Sequence, residues 1–172
     1  MSVYFIGDPH LGHKNIAKFR PWVKSTAHNT ELFTSEWERM INKRDVVYMM
    51  GDVAFDYPSL DLIGNLPGRK ILIKGNHDDF VLTSRQCDVF EEIHGMLKYK
   101  GMWLTHAPIH PDEMRARKCN IHGHVHNATI MRGWGPWRKP DPRYINTCVD
   151  VLWPQRNSFF ISLDEIKKMT GC

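Results

Sequence analysis

Long hydrophobic runs are missing from this 172-residue chain. No apolar stretch approaches the ~18 residues needed to span a bilayer, which excludes an integral membrane protein built from helices. Cysteine is sparse, and Cys87, Cys119, Cys148 and Cys172 lie far apart with no paired spacing. That pattern excludes a disulfide scaffold and a thiolate zinc module, and leads us to expect a reducing, cytoplasmic setting. The first apolar run stops at Gly7 and Asp8, too soon for a signal peptide. Charge of one sign is also lacking: 23 basic against 19 acidic residues leave +4, which suits an anionic substrate but does not by itself make a nucleic-acid binder. Repeats, linkers and low-complexity tracts are absent, so residues 1–172 are expected to form one domain, and 42% hydrophobic content is enough for a real core.

What the chain does have is a series of polar clusters, each placed just after an apolar run. Val3-Tyr4-Phe5-Ile6 leads to Asp8-Pro9-His10, and Val46-Val47-Tyr48-Met49-Met50 leads to Gly51-Asp52. Ile71-Leu72-Ile73 precedes Gly75-Asn76-His77-Asp78, Met102-Trp103-Leu104 precedes His106, and Ile121 precedes Gly123-His124-Val125-His126. Any one of these is weak, because a histidine beside an acid is common. Their repetition at the carboxyl ends of buried strands is not, since strand ends are where α/β sheets gather ligands. Residues i and i+2 of an extended segment share a face, so His124 and His126 can reach one place. Glycines adjoin most of the clusters, where the chain must turn sharply.

These segments resemble the calcineurin-like metallophosphoesterase superfamily, whose signature is Asp-x-His, Gly-Asp, Gly-Asn-His-Asp/Glu, His and Gly-His-x-His. All five parts stand here in order over residues 5–150, and the chain is most similar to the small single-domain bacterial and phage members. The resemblance implies that Asp8, His10 and His126 hold one metal, that Asn76, His106 and His124 hold a second, and that Asp52 bridges them. It also implies hydrolysis of a phosphoester by a hydroxide shared between two divalent ions. An oxygen-and-imidazole shell suits manganese, iron, zinc or nickel, and manganese is the expected ion. His77 is the expected catalytic acid for the leaving oxygen, with Asp78 orienting it and favouring its imidazolium form. A histidine that merely caps the turn is the other reading of His77.

Further candidates follow for substrate. His13, Lys14 and Arg20, with His28 and Asn29, are placed to meet phosphate, although solvated loop residues would look the same. Residues 133–144 interleave Trp134, Trp137 and Tyr144 with Arg138, Lys139 and Arg143. Indoles that stack bases beside phosphate-binding guanidiniums would make the substrate a nucleotide or a nucleic-acid end. Tryptophans packed on their own domain are an equal reading. Arg115, Arg117 and Lys118 form a short basic cluster that decides nothing. The expected activity is therefore phosphodiester hydrolysis, with a phosphomonoesterase as the alternative and a scaffold of the same fold as the third. No membrane and no obligate protein partner is expected.

Between the motifs, residues 31–43 read as a helix capped by Asn29 or Thr30, with Leu32, Phe33, Trp37, Met40 and Ile41 on one side. Residues 56–66 read as a second helix opened near Pro58 and stopped by Pro67-Gly68. Residues 97–104 read as a hairpin turning at Lys100-Gly101, 158–162 as a late strand and 164–169 as a closing helix. This order gives an α/β class with mixed sheets. Two sheets between helical layers, the αββα sandwich, is what the resemblance implies. Asn146 and Asp150 are expected to support the sheet and the site.

Overall fold

The computed structural model describes residues 1–81 and 83–170. Its elements run β1 (Val3–Ile6), α1 (Ile16–Phe19), α2 (Thr26–Met40), β2 (Val46–Met49), α3 (Tyr57–Asn65), β3 (Arg69–Ile73) and α4 (Thr83–Gln86). Then follow β4 (Glu92–His94), β5 (Met96–Tyr99), β6 (Met102–Thr105), β7 (Asn120–His122), β8 (Met131–Arg132), β9 (Lys139–Pro140), β10 (Tyr144–Asn146), α5 (Val149–Arg156), β11 (Ile161–Ser162) and α6 (Leu163–Thr170). Five strands form one mixed sheet in the order β11-β1-β2-β3-β4, four form a second in the order β10-β7-β6-β5, and β8 and β9 make a separate small hairpin.

Alternation along the strands builds the layers. Phe5, Tyr48, Ile71 and Ile73 on one face of the first sheet pack against Met102, Leu104, Ile121 and Ile145 of the second. The opposite face of the first sheet, with Ile6, Val47, Met49 and Leu72, packs against Phe33 and Trp37 of α2 and Leu60 and Ile63 of α3. The sheets therefore face each other, and helices cover the outside of the larger one. On the outside of the second sheet Trp103 donates from Nε1 to the Glu113 carbonyl, at 3.1 Å, in the one-turn 3₁₀ segment Pro111–Met114.

Parallel pairing aligns the strand ends. β1, β2 and β3 run parallel, as do β6, β7 and β10. The two sheets are sewn together at this carboxyl edge, where the Gly7 N–H donates to the Thr147 carbonyl at 2.8 Å and Val149 N–H donates to the Gly7 carbonyl at 3.0 Å. Every expected metal ligand follows one of these aligned ends.

Expected boundaries move at α2, which ends at Met40 and not at 43, and at the late strand. α2 starts at Thr26, not near residue 31, because Ser25 takes the cap: its backbone is extended and its side chain accepts from the His28 N–H at 3.1 Å. Asn29, an expected cap, is drawn inside instead, donating to the Pro9 carbonyl at 3.0 Å. The strand expected over 158–162 shrinks to Ile161–Ser162, since Ser158 forms a local turn with Phe160. The α3 helix, capped by Asp56, and the β5–β6 hairpin lie where expected. Cys172 falls outside the described residues.

Trp37 anchors the helix layer. It is fully buried, packs at a tilt on Phe33 (5.4 Å) and edge-to-face on Phe160 (5.5 Å), and donates from Nε1 to the Pro67 carbonyl at 2.8 Å. Replacing it by alanine removes both the packing and the bond, and Trp37→Ala is expected to lose about 3–5 kcal/mol in urea unfolding; a loss under about 1 kcal/mol would contradict this packing.

Candidate metal centre

The turns after the strands are held in an unfavourable backbone conformation. Nine described non-glycine residues have positive φ, and five of them are expected metal ligands: Asp8 (56°), His10 (52°), Asp52 (54°), His124 (69°) and His126 (49°). Each left-handed residue costs roughly 1–2 kcal/mol, so this clustering is a property of the site and not of loops in general. The strain is held by pairing. Asp8 N–H donates to the Gly51 carbonyl and His10 N–H to the Asp52 carbonyl, both at 3.1 Å, and Leu11 N–H donates to Val53 at 3.0 Å. The first two turns thus run side by side and brace each other.

The side chains these turns present form a buried floor and an exposed rim. Asp8, His10, Asp52 and His106 are buried, whereas Asn76, His77, His124 and His126 are exposed. One ligand atom each from Asp8, His10 and His126 lie within 4.8 Å of one another, and so do atoms of Asp8, Asp52 and His106. Asp8 belongs to both groups. Two glycines are required by this crowding: a Cβ on Gly51 would strike the His106 ring and one on Gly75 would strike the Asp52 carboxylate.

Several lone pairs converge on one place. The His106 Nδ1–H donates to the Met50 carbonyl at 2.7 Å, which turns Nε2 toward Asn76 Oδ1 (3.0 Å), His124 Nδ1 (3.2 Å) and Asp52 Oδ2 (3.5 Å). Two oxygens and a second ring nitrogen thus crowd one imidazole nitrogen, an arrangement that a cation would satisfy. Asp8 Oδ1 and His10 Nε2 are buried without a hydrogen-bond partner and face each other at 3.5 Å. The donor set therefore fits divalent metal, the commonest resolution of converging carboxylate and imidazole groups.

The electrostatics agree. Burial works to raise the Asp8 and Asp52 carboxyls, yet hydrogen bonds and charge from His10, Cys148 and His106 hold both below the usual range. Burial works to lower His106, but Asp52 and Asp8 push it up to about 9. A field that favours a proton there favours any cation. Burial and the neighbouring Asp8 push the Cys148 thiol up, so it stays protonated and donates to Asp8 Oδ2 at 3.0 Å. His124 N–H donates to the same oxygen at 2.9 Å.

Asp78 has a different task from the one expected. Its carboxylate accepts from the backbone N–H groups of Gly75 (2.7 Å), Val53 (2.8 Å) and Asp52 (3.0 Å), tying the second turn to the third. Its burial raises its pKa. The His77 N–H in turn donates to Asp52 Oδ1 at 2.8 Å, which sets the His77 ring beside the floor. The Phe55 ring wedges between His10 (5.3 Å), His13 (5.0 Å) and His77 (5.5 Å).

Arg20 is corrected from substrate contact to internal brace. It is 1% exposed, and its guanidinium donates to both oxygens of Asp150 (2.9 and 3.0 Å), to Asn29 Oδ1 (3.2 Å) and to the carbonyls of Pro9 (2.9 Å) and Asp8 (2.5 Å). Asp150 also accepts from His126 Nδ1–H at 2.9 Å, leaving Nε2 for the floor. Asn146 donates to the His126 carbonyl at 2.7 Å. The supporting role expected of both residues is therefore a direct contact with a candidate ligand, as second partners of metal-binding histidines are.

His13 lies at the edge of the site, its ring 6.0 Å from that of His10, while Lys14 is exposed. Trp134 and Trp137 are 75% and 67% exposed and lie against each other at a tilt, 5.2 Å between ring centroids, so neither packs into the domain. Arg138 is exposed on the same hairpin. His122 was not foreseen: it is buried, burial lowers its pKa, and its Nε2 has no hydrogen-bond partner. Its position inside β7, two residues before His124, is the one sequence signal that could have marked it. Two cavities flank the floor, one of about 660 Å³ reached past His10 and His126, the other of about 480 Å³ past Asn76, His106 and His124.

Arg20→Lys keeps the charge and loses the fork, so it is expected to be less stable than wild type in urea by about 2 kcal/mol or more; equal stability would contradict the brace. The Arg20 and His126 contacts hold the Asp150 carboxyl well below its usual range against the opposing effect of burial. Their stabilisation is thus present above the unfolded pKa near 3.9 and fades as pH falls. The stability gap between wild type and Asp150→Asn should accordingly be full at pH 7 and narrow below about pH 4; a gap that widens in acid would contradict it.

No family model matches the chain. It is 29% identical to an uncharacterized protein of Methanocaldococcus jannaschii over 98% of this chain and 90% of that one. It is 27% identical to the Gene 66 protein of Mycobacterium phage D29, over 99% and 96% of the two. Among solved structures, a protein of unknown function from Aquifex aeolicus superposes with a TM-score of 0.70 at 26% identity, covering 98% of both chains. Over nearly its whole length the chain is thus similar in sequence to proteins of an archaeon and a phage, and in fold to one of a bacterium.

Proposed function

We propose that this chain is a metal-dependent phosphoesterase that acts on phosphodiesters. The observation that carries the proposal is the convergence of Asp8, His10, Asp52, His106 and their rim partners, five of them left-handed residues, around the partnerless Asp8 Oδ1 and His10 Nε2. Asp8, His10 and His126 would hold one divalent ion, Asn76, His106 and His124 a second, and Asp52 both, with manganese the preferred metal. Such ions supply Lewis acidity toward phosphoryl oxygens and a water acidic enough to attack near neutral pH.

The protein's own groups do the rest. The exposed rim leaves the buried floor open from one side, so a phosphate can reach Asn76, His124 and His126 while the reacting end is drawn away from bulk water. His77, placed by its backbone bond to Asp52, gives a proton to the leaving ester oxygen. Phe55 fixes the facing rings of His10 and His77 and keeps water from between them. The carboxylates at the base are ionised, and Asp78 holds the turns that carry them. Cavities on both sides of the floor favour a diester, which has two arms, over a monoester, which has one. The exposed Trp134 and Trp137 pair beside Arg138 and Lys139 supports a nucleotide or nucleic-acid end as the substrate class. Among the described residues no helix is long and apolar enough to cross a membrane.

Chelator-stripped protein reloaded with manganese is expected to hydrolyse bis-p-nitrophenyl phosphate in preference to p-nitrophenyl phosphate. His77→Ala should lower kcat by about 10²–10⁴ without releasing metal. A monoester preference would favour the phosphomonoesterase, and no manganese-dependent turnover of either ester would contradict the proposal.

A further inference from the structure

The larger cavity differs in character from the floor it adjoins. Its walls are Ile16, Phe19, Pro21, Trp22 and Pro154, and His10 and His126 close its inner end. Phe19, in α1, is 70% exposed. Trp22 packs against Trp153 (5.7 Å) and Phe159 (5.6 Å), and the Arg20 guanidinium carbon lies 5.5 Å from its ring centroid, so the indole is held in place at the cavity wall. At about 660 Å³ the space lies well within the range that encloses a small organic group, roughly 300–1,000 Å³.

Charge in this cavity is already spoken for. Among the described residues Arg20 is the one lysine or arginine that lines it. All five of its N–H groups are engaged, and Asp150 matches its charge at 2.9 Å. A second phosphate or a carboxylate entering here would lose its hydration and meet no unengaged lysine or arginine among the lining residues. An uncharged ring would lose nothing and would stack on flat aromatic and proline faces.

We infer that this cavity binds the ester arm that remains on phosphorus, and that the arm is an uncharged aromatic group. The inference rests on the phosphodiesterase reading of the site. His10 and His126 belong both to the cavity and to the floor, so a group attached to a phosphoryl held on the floor enters it directly. His77 is not among its lining residues, and we set the leaving oxygen, with the arm that departs with it, on the His77 side. Phe19, Trp22 and Pro154 are therefore the residues that select the substrate, while the rim and floor perform the hydrolysis.

Three diesters with the same leaving group separate these roles: methyl, phenyl and 4-carboxyphenyl p-nitrophenyl phosphate, each assayed with the manganese-loaded protein. The phenyl ester is expected to exceed the methyl ester in kcat/KM by roughly tenfold or more, chiefly through KM, and the carboxylate should cancel most of that gain. Phe19→Ala, at an exposed position whose loss should leave the urea midpoint in place, is expected to bring the phenyl-to-methyl ratio toward one. Equal kcat/KM for methyl and phenyl, a phenyl preference that survives Phe19→Ala, or a preference for the carboxylate would overturn the cavity assignment and leave the phosphodiesterase standing. Absence of turnover with all three esters would overturn both.

Discussion

Two carboxylates, Asp8 and Asp52, are buried beside one another at the join between the sheets, and most of the surrounding structure is arranged to tolerate them. Uncompensated burial of charge is among the most expensive events in folding. Here it is met by hydrogen bonds from Cys148, from the His124 backbone and from the His77 backbone, and by the imidazoles of His10 and His106. The left-handed turns that deliver these groups cost roughly 5–10 kcal/mol together, which is as large as the net stability of many domains. A fold carries such strain only where its sheets and helix layer over-determine the backbone, as the paired turns after β1 and β2 do. Asp78 and Arg20 serve the same end from below, one clamping the turns by their amides, the other by their carbonyls.

This arrangement separates strength from reactivity. The floor is buried and braced, while the rim of Asn76, His77, His124 and His126 stays exposed. Groups that must meet a substrate are therefore free to do so without loosening those that must stay fixed. The aromatic side chains divide in the same way. Trp37, Phe33 and Phe160 hold the helix layer to the sheet, Phe55 spaces the histidines, and Phe19 with Trp22 faces the larger cavity.

Much of this was legible in the chain because strand ends are marked twice, by an apolar run that stops and by a glycine beside a polar cluster. Asp8, Asp52 and the two rim histidines follow directly from that pattern, His106 from the end of its apolar run alone, and α3 and the β5–β6 hairpin from their turn residues. What was not legible depends on contacts between distant segments. Arg20 reads as a loop cation, and only Asp150, 130 positions later, turns it inward. Asp78 reads as a partner for its neighbour His77, but the amides of Asp52 and Val53 claim it. Asn29 reads as a cap until Pro9 and Arg20 draw it into the interior. The Trp134–Trp137 hairpin shows the opposite limit: the residues read equally as base-stacking or domain-packed, and the two indoles contact each other at a tilt and stay exposed.

The most direct test is where metal binds. In crystals grown with manganese, anomalous scattering is expected to give two peaks, one among Asp8, His10 and His126 and the other among Asn76, His106 and His124, each within reach of Asp52. A basin without such peaks, with manganese bound only elsewhere or not at all, would contradict a metal centre built by the strained turns.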